Sequence, residues 1–126
     1  DWTNNDYWLE SGNIGLWYGV TVTEGQVTDI ALWDNNLIGT IPVELGNLSN
    51  LITLNLSGNQ LTGTIPAWLG SMSTLQSLWL DGNQFTGPIP TELGDLSNLW
   101  YLGLAWNQLT GTIPAELGSL NNLRFL

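Results

Sequence analysis

Asp34 and Asp81 are the carboxylates with which this chain could attempt acid–base chemistry, and Trp33, Trp79, Trp100, Tyr101, Trp106 and Phe125 carry the rings with which it could hold a ligand. Two carboxylates cleave glycosidic bonds when they stand roughly 5 to 9.5 Å apart. These two fall two repeat units apart, which at a strand spacing of about 4.8 Å separates them by about 10 Å, and no cleft is expected to raise the pKa of either. The sequence holds no histidine and no cysteine, which removes imidazole bases, thiolate nucleophiles and nearly every zinc site. No loop gathers Asp and Asn at the spacing of a calcium site. The expectation is therefore no enzyme, no metal and no cofactor, and the rings become the candidate chemistry.

Charge narrows the partners further. Eleven acidic residues face one basic residue, Arg124, for a formal charge of −10. Phosphate binding depends on Lys and Arg releasing counterions, so nucleic acid is excluded, and anionic membrane surfaces are disfavoured on the same ground. No apolar run approaches the roughly 20 residues of a membrane span, so no membrane insertion is expected. The N-terminal DWTNNDYWLE lacks the basic and apolar regions of a signal peptide. An apolar share of 43% with 10% charged residues is that of a folded chain, and 126 residues suffice for one domain.

The elements that must position the rings follow from an internal repeat. Residues 51–74 (LITLNLSGNQLTGTIPAWLGSMST), 75–98 and 99–122 align without gaps at a period of 24; 27–50 is an earlier copy and 123–126 begins another. The shared pattern is LxxLxLxxNxLxGxIPxxLGxLxx. Within one copy, Leu51, Leu54 and Leu56 start a strand, and Leu61, Ile65, Leu69 and Met72 bring the chain back across the same interior. Asn35, Asn59, Asn83 and Asn107 recur where the chain turns; a buried amide there must bond the backbone of neighbouring coils, because leaving it unsatisfied costs about 1–3 kcal/mol. Glycine recurs at Gly39, Gly63, Gly87 and Gly111, where tight backbone geometry is needed, and the Ile-Pro pairs hold the chain extended. A single coil exposes its apolar edges, so the coils must stack into a solenoid with covered ends.

These residues resemble the plant-type leucine-rich repeat, whose hallmark LxGxIPxxLGxLxxL stands here as LTGTIPAWLGSMSTL and LTGTIPAELGSLNNL. The likeness covers Val27 to Leu126, about four-fifths of the chain. It implies an α/β-type solenoid: a right-handed superhelix with a concave parallel β-sheet and short flanking strands or 3₁₀ segments on its other sides. Residues 1–26 are expected to form an N-terminal cap, in which Val20, Val22, Val27 and Ile30 around Glu24-Gly25 read as a β-hairpin, with Trp2, Tyr7, Trp8 and Leu9 as further cover. The cap resembles that of plant-type receptors at Trp17, Gly19 and Val20, but Gly15 and Val22 stand where the family has two cysteines. A cap without a disulfide suits a reducing cytosol, which gives a cytoplasmic expectation, with an extracellular ectodomain as the alternative. Two glycosylation sequons, Asn47-Leu48-Ser49 and Asn55-Leu56-Ser57, also occur.

Alternation in LxxLxL turns the third, fifth and seventh residues of each strand onto the concave face. This places Trp33, Trp79, Asp81, Tyr101 and Phe125 there, with Asp34, Trp100 and Trp106 flanking. Trp79, Tyr101, Trp106 and Phe125 are expected to form one aromatic surface edged by Asp81 and Asp34. Rings of this kind carry much of the energy of protein interfaces, so the expected function is a recognition module for a protein or peptide. The module would belong to a larger receptor or signalling protein, monomeric in isolation, with further domains after Leu126. The resemblance extends to immune-type receptors and ROCO-type GTPases. The alternative is carbohydrate binding, in which indoles stack on sugar rings and aspartates accept hydroxyl hydrogen bonds.

Overall fold

The computed structural model describes residues 13–126. The expected cover from Trp2, Tyr7, Trp8 and Leu9 lies outside the described residues. In chain order the strands are β1 (Val20–Thr23), β2 (Gln26–Ala31), β3 (Ile38–Gly39), β4 (Thr53–Asn55), β5 (Gln60–Leu61), β6 (Ser77–Trp79), β7 (Thr86–Gly87), β8 (Tyr101–Gly103) and β9 (Gln108–Leu109).

β1 and β2 form the expected antiparallel hairpin, with Thr23 opposite Gln26 and a register shift between Thr21 and Val22. Its two turn residues, Glu24 and Gly25, both have positive φ, 52° and 77°, the geometry that matches the twist of the flanking strands. From β2 onward the main sheet is parallel, in the order β1-β2-β4-β6-β8. Its register is exact to the period: Ile30 pairs with Leu54, Leu54 with Leu78, and Leu78 with Leu102. Two smaller parallel pairs, β3 with β5 and β7 with β9, lie on a second side, and a bridge between Thr64 and Thr86 joins the coils between them.

The remaining side of each coil is a 3₁₀ segment: Val43–Asn47, Ala67–Ser71, Thr91–Asp95 and Ala115–Ser119. Each follows directly on a proline. Pro42, Pro66, Pro90 and Pro114 hold φ between −72° and −60° and ψ between 131° and 137°, an extended setting from which the tight turn begins. No α-helix occurs among the described residues, and none of their helices is long and apolar enough to cross a membrane.

Inside, the slots behave as their spacing demands. Leu51, Leu54, Leu56, Leu61, Ile65, Leu69 and Met72 of one coil are all buried. The asparagines stitch coils together: Asn59 Oδ1 accepts the N–H groups of Asn35 (3.0 Å) and Leu37 (2.9 Å), and its Nδ2 donates to the carbonyls of Leu32 (2.8 Å) and Leu56 (2.9 Å). Asn83 repeats this, accepting from Leu61 and donating to Leu56 and Leu80.

In the cap, a Cβ added at Gly15 would lie 3.7 Å from Val22 Cβ. The structure thus brings together the two positions at which the resembling caps carry cysteines, and an aliphatic side chain against a glycine stands in place of a covalent link.

Candidate functional site

The concave strands are shorter than the alternation suggests. β4, β6 and β8 each span only the third to fifth residues of their repeat, and by the eighth residue the chain already bends. The backbone explains this. Asp34, Gly58, Gly82 and Trp106, all at the eighth position, have φ of 48°, 65°, 63° and 56°, so the chain bends left-handed there to bring the asparagine inward. Trp106 thus occupies a setting that its equivalents meet with glycine in two coils, and a side chain there costs roughly 1–2 kcal/mol.

On the shortened strands a contiguous ring cluster forms. Trp79 pairs in register with Gly103, which offers no side chain beside it. The indole therefore leans diagonally onto Tyr101, whose own register partner is the small Ser77, and the two rings stack with centroids 3.5 Å apart at 17°. Trp100 meets Tyr101 edge-on at 5.9 Å and Phe125 edge-on at 6.1 Å, and Tyr101 lies 6.1 Å from Phe125. The backbone fixes the spacing: Phe125 bridges in parallel to Tyr101, the Arg124 N–H donates to the Trp100 carbonyl at 2.9 Å, and the Leu102 N–H donates to the Phe125 carbonyl at 3.0 Å. Trp79 and Tyr101 are half-buried, whereas Trp100 and Phe125 keep 39% and 56% of their surface open.

Asp81 borders this cluster. A Cβ at Gly103 would lie 1.9 Å from Asp81 Oδ2, so the carboxylate rests on the glycine backbone. Oδ1 accepts the Ala105 N–H at 3.2 Å, while Oδ2 is buried with no donor. Burial, and then the negative charge of Asp81, raise the Tyr101 phenol above its ordinary pKa. Gly103 falls on the concave face by strand alternation but is not among the expected site residues. The signal was available, since Gly103 takes the fifth slot, filled by Ala31, Asn55 and Trp79 in the other coils.

Three of the expected site residues stand outside the cluster. Trp106 is 87% exposed and makes no ring contact with any described residue, because its turn directs it away from β8. Trp33 is 52% exposed in the turn after β2, also without a ring contact among the described residues. Asp34 lies against Gly58, whose added Cβ would fall 1.8 Å from its Oδ1, and stands two coils away from Asp81. The expected single surface of Trp79, Tyr101, Trp106 and Phe125 edged by both aspartates is therefore corrected to Trp79, Trp100, Tyr101 and Phe125 edged by Asp81. Among the described residues no group of three or more acidic side chains is placed to hold a metal ion.

Family models described as leucine-rich repeat match residues 25–85 and 98–120. No match was found among curated protein sequences. Among solved structures, a chain of the BIR3–SERK2 complex from Arabidopsis thaliana is 35% identical, with a TM-score of 0.86, covering 98% of this chain and 67% of that one. The BIR2 ectodomain from the same plant is 33% identical, with a TM-score of 0.87 and coverage of 93% and 67%. The plant peptide hormone receptor RGFR1, solved in complex with RGF2, is 36% identical, with a TM-score of 0.79, and covers 87% of this chain, which spans only 21% of that receptor chain. One of these relatives is named as a plant peptide hormone receptor and one as an ectodomain. They favour the extracellular alternative over the cytoplasmic expectation and lend no support to a ROCO-type origin.

Proposed function

The chain belongs to the plant-type leucine-rich repeat family, and from that premise we propose that it is a non-catalytic recognition module that holds a peptide or protein ligand against Trp79, Trp100, Tyr101 and Phe125 on its concave face. The observation that carries this reading is the contiguity of the four rings, drawn from three successive coils, with Trp100 left 39% open. Cross-strand ring pairs within a sheet contribute about 0.2–1 kcal/mol each, a gain that accounts for the inner stack but not for the large apolar side chain of Trp100 held toward solvent. Such rings on a rigid sheet bind with little ordering cost, and aromatic anchors dominate interface energies.

The setting in this reading is the ligand-binding part of an extracellular receptor. A peptide takes precedence over a glycan because a relative at 36% identity is a peptide hormone receptor solved with its ligand. The cysteine-free cap is compatible with that setting, since Val22 closes on Gly15 by packing alone.

The test is a selection of random linear peptides displayed on phage against the immobilised protein, followed by titration of the best synthetic peptide. Trp79→Ala and Trp100→Ala are each expected to weaken binding about tenfold or more, whereas Trp33→Ala and Trp106→Ala leave it within about twofold. A selection that returns no binder, or binders indifferent to Trp79→Ala, overturns the reading.

A further inference from the structure

We propose that the ligand of this face presents an arginine side chain, whose guanidinium bonds Asp81 while its plane lies against the Trp79–Tyr101 pair of the cluster. This inference rests on the reading above and adds the chemistry of the ligand. It starts from the carboxylate. An ionised carboxylate has about four lone-pair directions, and Asp81 fills one of them, with a single N–H from Ala105 at 3.2 Å. Its second oxygen is buried with no donor. A charged acceptor withdrawn from water without a partner is destabilising, so a ligand that brings a positive charge to the Oδ1 side of Asp81 offsets a cost that the free protein already carries. Asp81 as a residue is only half-buried, and Oδ2 is the oxygen turned in against Gly103.

The protein does not supply the missing cation. Arg124 is its sole basic residue, and no ion pair engages Asp81 among the described residues. The partner has to bring it. Gly103 lets the carboxylate lie flat on the backbone beside the Trp79–Tyr101 stack, and the faces of indole and phenol rings attract a cation within about 6 Å of their centroids. A planar guanidinium satisfies both neighbours at once, by N–H bonds to the remaining lone pair of Oδ1 and by stacking on a ring, which an ammonium cannot match. The net charge of −10 adds a long-range field that favours the approach of a basic ligand and opposes an acidic one.

The phage selection described above provides the probe. The selected peptides are expected to be enriched in arginine over the starting library, and replacing that arginine by citrulline, its neutral isostere, to weaken binding about tenfold or more. Asp81→Asn is expected to erase the difference between the arginine and citrulline peptides while both still bind. Trp79→Ala weakens both, the arginine peptide more than the citrulline one because it also loses the ring that faces the cation, and Asp95→Asn, which removes the same charge from a 3₁₀ segment, preserves the discrimination. If wild type binds the two peptides equally, or if Asp81→Asn keeps the preference, the proposal is wrong although the peptide-binding reading stands. If no peptide is selected, both are wrong.

Discussion

Tyr101 joins the stacking of Trp79, the edges of Trp100 and Phe125 and the charge of Asp81 in one side chain, so its ionisation reports on the site. Burial first, and the Asp81 carboxylate second, raise its pKa above the ordinary value of 10.0. The folded state therefore holds this proton more tightly than the unfolded chain does. The resulting stabilisation is fully present below about pH 10 and is lost as the pH rises through the folded-state pKa. In a spectrophotometric titration of the tyrosinate band, the difference between wild type and Tyr101→Phe isolates this phenol from Tyr7 and Tyr18. Its transition is expected above pH 10, shifted back toward that value by Asp81→Asn but not fully, because burial remains. A transition at or below pH 10 would mean that the ring does not sit in this cluster. At the same scale, sequence alone revealed that Trp79 and Tyr101 share a face, because strand alternation depends only on position. It did not reveal their stacking, which requires the missing side chain at Gly103, nor the separation of Trp106. That separation was nonetheless written in the residues, since Gly58 and Gly82 at the same slot mark a left-handed turn that alternation ignores.

At the level of the element, strands, proline-led 3₁₀ segments and asparagine turns recur because each coil repeats one set of buried slots, and a period of 24 residues transmits them in exact register. The cap has no such repetition, so local signals show only its hairpin, Glu24-Gly25 between two valine-bearing stretches, and the rest rests on resemblance at Trp17, Gly19 and Val20. Its junction with the preceding 3₁₀ segment, Ile14–Leu16, depends on a tertiary contact between Gly15 and Val22. That contact is testable by replacing it with a bond. A Cβ separation of 3.7 Å falls within the roughly 3.5–4.5 Å of disulfides, so Gly15→Cys combined with Val22→Cys is expected to oxidise spontaneously. A loop this short stabilises by about 2–3 kcal/mol in the chain-entropy account, seen as a melting temperature several degrees higher than that of the same protein under reductant. Two thiols that stay free to a thiol reagent under air would show that the segment and the strand do not meet as described.

Across the whole molecule the stability of a solenoid is a sum of coil and neighbour terms, and charge is the one contribution here that acts beyond neighbours. Eleven acidic residues against one basic residue leave −10 distributed along the stack. Part of it forms a column: Glu44, Glu92 and Glu116 occupy equivalent places in the first turn of their 3₁₀ segments, and only Trp68, half-buried over Gly46, interrupts the series. The free N–H groups at the start of each turn favour an anion locally, but like charges in adjacent coils repel, and the net field opposes compaction. Raising the salt from about 10 mM to about 0.3 M shortens the screening length from about 30 Å to under 10 Å, which removes repulsion between coils while leaving the buried leucines and the asparagine bonds nearly untouched. The melting temperature followed by circular dichroism is therefore expected to rise by a few degrees with sodium chloride over that range. Glu92→Gln, which neutralises the middle of the column, is expected to show a smaller rise. A melting temperature that falls with salt, or a variant whose rise equals that of wild type, would show that the acidic surface is neutral to folding and that the stack is governed by its coil-to-coil packing alone.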